Sequence, residues 1–290
     1  LDKSGKDIVL DEETPRVLQV TKSKQTFEFK NIEEKPVPSI LRGFSAPVRI
    51  KFDLSQKQRC FLMAHDSDDF NRWDAGQQLG VDLALQIIDQ FKNDQELSLD
   101  QEYIDAIGNI LHNATLDKAL ASQAITLPME SYIADAMEII DPVTVHHVRH
   151  YMCKTIAQSL ESVFLEIYQD YDLSQPYSVE PKFVGRRTLK NCCLYYLMTL
   201  EKPEYTEMCM QQFQQANNMT DVIAALAQLN NSDTDYRQRS LDEFYEKWNS
   251  DALVIDKWFS IQAISHLPGT LERVRQLCEH PGYSIRNPNK

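Results

Sequence analysis

The sequence predicts a mainly α protein: a short β-sandwich remnant over residues 1–54, then a truncated α-helical superhelical domain of stacked helix pairs over residues 55–290. Two observations carry this. Apolar residues recur every second position before residue 54 and every third or fourth position after it, the periods of a half-buried strand and of an amphipathic helix. The charge changes at the same place. Residues 1–54 hold ten basic and nine acidic side chains, a net of +1, which leaves −14 of the total −13 for the remainder.

In the first segment, Gln25-Thr26-Phe27-Glu28-Phe29-Lys30 and Val48-Arg49-Ile50-Lys51-Phe52 alternate apolar with polar, as a strand with one covered face requires. Val17 to Thr21 is a third β-rich run, joined to the Phe27 strand by a hairpin loop at Lys22-Ser23-Lys24. Asp2 to Lys6 reads as a turn leading into Ile8-Val9-Leu10. Four short strands cannot bury an apolar face alone, and the chain opens at Leu1 without methionine. The expectation is a piece of a longer protein, cut inside a β-sandwich.

The helical segment is clearest at Asp141-Pro142, an N-cap followed by proline at the first helical position. Val145, Val148, Met152, Ile156, Leu160, Val163 and Ile167 then form one stripe. Further stripes cover 61–64, 70–91, 103–111, 189–200, 222–229, 241–248, 253–264 and 271–278. Stop signals such as Leu127-Pro128, His266-Leu267-Pro268-Gly269 and His280-Pro281-Gly282 separate several of them. Antiparallel neighbours stacked in the HEAT/armadillo manner are the economical arrangement, although no clean sequence period is present.

Composition removes several function classes. With 30 Lys plus Arg against 43 Asp plus Glu, the chain lacks the basic stripes that a general nucleic-acid binder uses to displace phosphate counterions. No run approaches the roughly 20 apolar residues of a membrane span, and no signal peptide is evident. The 8 glycines are spaced so that neither GxGxxG nor GxxxxGK can be written. The 6 cysteines include no CxxC, and buried free thiols in a reducing cytosol are expected.

His146 and His150 lie four apart, so their rings meet on one helix face, as in the zinc motif HExxH. That motif needs glutamate second, to take the proton from zinc-bound water, and position 147 is His. Both histidines fall to the side of the apolar stripe, giving a partly wet flank. Asp68-Asp69-Phe70-Asn71-Arg72-Trp73-Asp74 reads as capping and helix packing with Trp73 buried, Trp248, Trp258, Tyr195 and Tyr196 as packing, and Glu243 to Lys247 as a solvated face with i,i+4 support. The residues alone give no catalytic centre.

Several segments resemble bacterial aminopeptidase N: 25–29, 35–39, 44–48, 69–75, 140–142, 216–221, 256–259 and 287–289, in the family's order and across the whole chain. The resemblance implies cytoplasmic zinc-dependent exopeptidases that remove N-terminal residues from peptides, built from a β-saddle, a thermolysin-like catalytic domain, a small β-sandwich and a helical superhelix. It reaches only the sandwich's last strands and most of the superhelix. The family's GAMEN and HExxH motifs are missing, and Gln169 stands where its third zinc ligand, a glutamate, would fall.

No catalytic or metal residue is therefore assigned, the zinc belongs to the parent enzyme, and this segment alone is expected to be inactive. Its expected partners are the catalytic domain of the same polypeptide and the parent's peptide substrates, with neither nucleic acid nor membrane. The expected contact with the catalytic domain is Phe44, Ser45 and Pro47, in a loop whose aromatic needs a cover. The competing expectation is a free-standing helical-repeat scaffold that binds proteins on a concave face.

Overall fold

The computed structural model describes residues 1–9, 17–32, 34–48, 50–113, 116–171 and 176–286. Among them are thirteen α-helices and no strand. Contacts divide the chain into two compact units, residues 1–116 with 123–152, and residues 117–122 with 153–290.

The first unit holds α1 (Gln56–His65), α2 (Asp69–Lys92), α3 (Gln101–His112) and α5 (Glu130–Ala134), with the beginning of α6 (Pro142–Ser159). A capping box opens α1: Ser55 accepts from the backbone N–H of Gln58, whose side chain accepts from Ser55 N–H. Asp68 and Asp100 cap α2 and α3 through the backbone amides of Asn71 and Glu102. Both α2 and α3 pack against α1 or its neighbour, α1 touching each of them. Leu79, Leu83, Ala84, Ile87 and Ile88 line the inner face of α2 and are buried, as are Ile104, Ile107 and Ile110 of α3. Gly80 is a required glycine, since a Cβ there would lie 2.8 Å from Pro128 Cδ.

The second unit contains α7 (Glu161–Gln169), α8 (Pro181–Met198), α9 (Pro203–Gln215), α10 (Met219–Asn230), α11 (Asp235–Trp248), α12 (Ala252–Ala263) and α13 (Thr270–Cys278). Consecutive helices from α7 to α13 pack in pairs, and α10 also meets α8 and α12. This neighbour-on-neighbour contact is the arrangement of stacked helical repeats. Phe164 of α7 stacks on Tyr196 of α8 with centroids 4.6 Å apart and planes 5° from parallel, both rings buried. Trp258 donates its indole N–H to the Leu241 carbonyl at 3.0 Å.

Three differences from the sequence reading have local causes. The stripe from Val145 to Ile167 spans two helices, because Leu160 leaves helical geometry (φ −117°, ψ 19°) while its neighbours keep the apolar spacing. Ser159 bonds back to the Thr155 carbonyl at 2.9 Å just before the break. The helices α4 (Lys118–Ile125), α5 and α9 also fall outside the predicted stripes; α9 carries a readable start, Pro203 at its first position. Finally, Arg72 is buried in α2, whereas Trp73 is only half-buried.

In residues 1–54 the expected turn at Asp2–Lys6 is present: Gly5 has φ 83° and Asp2 Oδ1 accepts from the backbone of Ser4 and Lys6. The chain also bends at Lys22–Lys24, closed by the Gln25 amide between Thr21 N–H and the Gln19 carbonyl. The alternating runs form no ladder among the described residues, and Val17, Val20, Phe29, Val48, Ile50 and Phe52 stay exposed. A strand needs a pairing edge as well as an alternating pattern. Leu10, Arg49 and the Asn287–Asn289 segment lie outside the described residues. Leu1, Val37 and Leu54 pack on Phe61, Leu62 and Ala75, which anchors this segment to α1 and α2.

Candidate functional site

The histidine helix begins as the sequence implies. Asp141 accepts from the Thr144 backbone at 3.1 Å and from its hydroxyl at 2.7 Å. His146 then projects to the flank, its side chain 47% exposed, with Nδ1 2.7 Å from Glu130 Oε1 of α5. His147 turns to Phe91, ring centroids 4.9 Å apart. Glu130 occupies one nitrogen of the first histidine, and an aromatic face meets the residue that should be the zinc motif's glutamate. These residues do not fit the zinc that the resemblance implies, and Gln169 offers an amide instead of a carboxylate. Among the described residues, no group of three His, Cys, Asp or Glu side chains has an arrangement able to hold a metal ion.

The cysteines supply no nucleophile from the core. Cys60, Cys153, Cys193 and Cys209 are buried, Cys192 is half-buried, Cys278 is exposed, and all are free thiols. Burial pushes Cys60 up to about 12, and also raises Cys193 and Cys209 far above an ordinary thiol. A thiol so shifted is not a thiolate near neutrality.

The loop before α1 is more unusual. Leu41 (φ 58°), Gly43 (φ 63°) and Phe44 (φ 54°) all adopt the left-handed region around a short 3-10 turn, Arg42–Phe44. For Leu and Phe this geometry costs on the order of 1–3 kcal/mol each. A polar clamp holds it. Arg42 reaches Asp66 at 2.7 Å and Asp7 at 2.9 Å. Its Nε donates to Ser39 Oγ at 2.8 Å, and Gly43 N–H donates to Asp68 Oδ2 at 2.9 Å. Asn71 donates to both Ser39 Oγ and the Ile40 carbonyl.

Asp66 is fully buried and also anchors Arg72, whose Nε and Nη2 donate to the Asp66 carbonyl. The paired guanidinium of Arg42 holds the Asp7 carboxyl below its usual range. The clamp presents Phe44, 70% exposed, against Phe70 at 4.3 Å, with Trp73 5.6 Å beyond Phe70. Ser45 and Pro47 follow on the exposed side of the loop. The structure thus brings Phe44, Ser45 and Pro47 to one exposed loop, but none of them to the histidine helix. The sequence reading placed Arg72 within a capping and packing run but missed Arg42 and Asp66, whose signal was charge placed immediately beside the loop and the helix start.

Capped helices and the neighbour-on-neighbour packing of α7 to α13 define an armadillo-type helical array in the second unit. The chain belongs to the family described as a domain of unknown function (DUF3458_C) with ARM repeats, which matches residues 56–290; a second family description, DUF3458 with an Ig-like fold, matches residues 1–53. The chain is similar to the aminopeptidase N of Escherichia coli, 38% identical over 274 residues, covering 94% of this chain and 31% of that protein. Proteins of the same name from Haemophilus influenzae and Caulobacter vibrioides are 34% and 32% identical over the same shares. The crystal structure of Legionella pneumophila aminopeptidase A in complex with aspartic acid superimposes with a TM-score of 0.83 at 29% identity, covering 100% of this chain and 34% of that one. The chain therefore spans about a third of the length of the relatives it matches.

Proposed function

We propose that this chain is the non-catalytic C-terminal portion of a zinc-dependent aminopeptidase N that removes N-terminal amino acids from peptides in the cytoplasm. The observation that carries this reading is 38% identity to one aminopeptidase N sustained over 94% of the chain. In this reading, residues 1–54 are a partial β-sandwich domain and residues 55–290 the helical domain. The helical domain walls the chamber over the zinc and limits entry to small or unfolded peptides. Its −14 balance attracts a substrate's free α-amino group.

Phe44, Ser45 and Pro47 meet the catalytic domain in this proposal. The clamped loop supports that role: an exposed aromatic pair held on a costly backbone is suited to a preformed contact. The zinc is supplied with the catalytic domain, and no step of the chemistry is assigned to this chain.

The test is hydrolysis of alanine and leucine p-nitroanilides by the chain alone and by the gene product that carries it with a zinc-loaded catalytic domain. Turnover by the longer protein and none by the chain is expected. A folded, zinc-loaded longer protein without turnover overturns the family reading, and turnover by the chain alone overturns its non-catalytic role. Phe44→Ala should weaken association between the two parts; unchanged association removes the loop from the interface.

A further inference from the structure

Arg187 of α8 is a buried cation whose charge is not matched. The residue is only 4% exposed, and a guanidinium keeps its proton even when desolvated. Arg187 and Lys190 stand three apart on one face of the helix, but only Lys190 meets a buried carboxylate, Asp221 at 2.9 Å. Asp170 is paired with Arg186, and Glu180 with Lys182, both on the surface. Among the described residues, no carboxylate pairs with Arg187 itself.

The contacts that Arg187 does make leave one edge open. The Tyr177 ring lies 4.8 Å from Cζ and covers the guanidinium. Nη1 donates to the Ser178 carbonyl at 2.9 Å, the one hydrogen bond of this side chain among the described residues. Nε is shut off from solvent and has no acceptor there. Nε–H and Nη2–H are the parallel pair of a guanidinium, the edge that meets two oxygens at once. A buried charged donor without an acceptor is costly, and native structures rarely keep one.

The charge and shape of the missing acceptor follow. One unmatched positive charge calls for a monoanion, and one two-donor edge calls for two coplanar oxygens. A carboxylate supplies both, whereas phosphate brings a further oxygen and further charge that this edge cannot serve. Tyr177 is itself 53% exposed, so a single surface side chain separates the guanidinium face from solvent. The −14 balance of residues 55–290 repels anions at long range, so capture here depends on the edge and not on the general field.

We propose that the Nε–Nη2 edge of Arg187 binds a carboxylate of a peptide, at its C-terminus or on an acidic side chain. The inference goes beyond the peptidase reading and does not rest on it, since binding is read on this chain by itself. It concerns the opposite charge from a substrate's α-amino group, and a different place.

The experiment is NMR titration of the whole 290-residue chain, following the Arg187 Nε–H signal directly. Nα-acetyl-glycylglycine offers only a terminal carboxylate, Nα-acetyl-aspartate amide only a side-chain carboxylate, and Nα-acetyl-glycylglycine amide neither. A saturable shift of Nε–H is expected with one or both carboxylates and not with the neutral amide. A response to one of them alone identifies the source. Arg187→Lys keeps the charge but loses the fork, and should weaken binding about tenfold or more; Arg186→Gln, at the exposed neighbour, should leave it unchanged. Should the lysine variant fail to fold, the Nε–H signal of the unaltered chain still decides. The proposal is overturned by no saturation at millimolar concentrations of either carboxylate, or by an equal response to the neutral amide. Tighter binding of inorganic phosphate than of both carboxylates also overturns it, as does a folded Arg187→Lys variant that binds no more weakly than Arg186→Gln.

Discussion

Asp221 and Lys190 make the sharpest stability test. Lys190 of α8 and Asp221 of α10 are each 1% exposed and lie 2.9 Å apart. At an effective dielectric near 20, that separation corresponds to an attraction of about 6 kcal/mol, set against a desolvation penalty of several kcal/mol per ion. The pair is thus close to break-even, and removal of one partner is far from it. The two partners are not equivalent. Without lysine, Asp221 still accepts from Asn191 at 2.8 Å and Asn218 at 3.0 Å, in the first turn of α10 where the helix dipole favours an anion. Without the carboxylate, Lys190 keeps the Tyr171 ring at 4.3 Å as its nearest favourable face.

Asp221→Asn should therefore cost about 3–5 kcal/mol, and Lys190→Met about 1–3 kcal/mol, the scale of a lost charged hydrogen bond. The double variant should cost less than the two together by about 1–3 kcal/mol. Urea denaturation followed by far-UV circular dichroism, with midpoint and slope fitted separately, reads all three. Burial lowers the Lys190 ammonium from its usual value despite the nearby carboxylate. The unfolded chain therefore binds more protons between the folded value and 10.5, so this residue's contribution to stability should rise with pH through that window. Lys190→Met should remove that rise. A Met variant costlier than the Asn variant, or strictly additive effects, would refute the asymmetry.

Other variants probe packing and access. Gly80→Ala should destabilise by about 1–3 kcal/mol, because the rigid Pro128 ring at 2.8 Å outweighs the gain in helix propensity; urea denaturation reads this. Phe164→Ala empties a fully buried site stacked on Tyr196 and should cost about 3–5 kcal/mol by the same denaturation assay. Asp68→Ala removes both the α2 cap and the bond to Gly43, a loss of about 1–2 kcal/mol, with increased hydrogen exchange confined to residues 41–45 and the start of α2. Iodoacetamide at pH 8 should label Cys278 first, with Cys60, Cys193 and Cys209 protected until the chain unfolds; peptide mass mapping gives the order.

Helices were legible wherever the apolar stripe and a cap coincided. Asp141 and Pro142 announced α6 because both signals are local. The break at Leu160 was hidden, since a leucine preserves the stripe while leaving helical torsions. The exposed position of Phe44 could be suspected from its neighbours, but its left-handed backbone depends on Asp66 and Asp68, more than twenty residues further along the chain. The buried pair was invisible for the same reason. Lys190 and Asp221 become partners only when α8 packs on α10, and a lone lysine on a helix reads as solvated until its neighbour is known.

The loop from Leu41 to Phe44 has one more implication. Four cross-ties from Arg42 and Gly43 to acidic and hydroxyl groups hold its outline. A surface with such fixed relief loses little freedom on contact, so in the proposed contact with a catalytic domain Phe44 would act through shape match more than through adjustment.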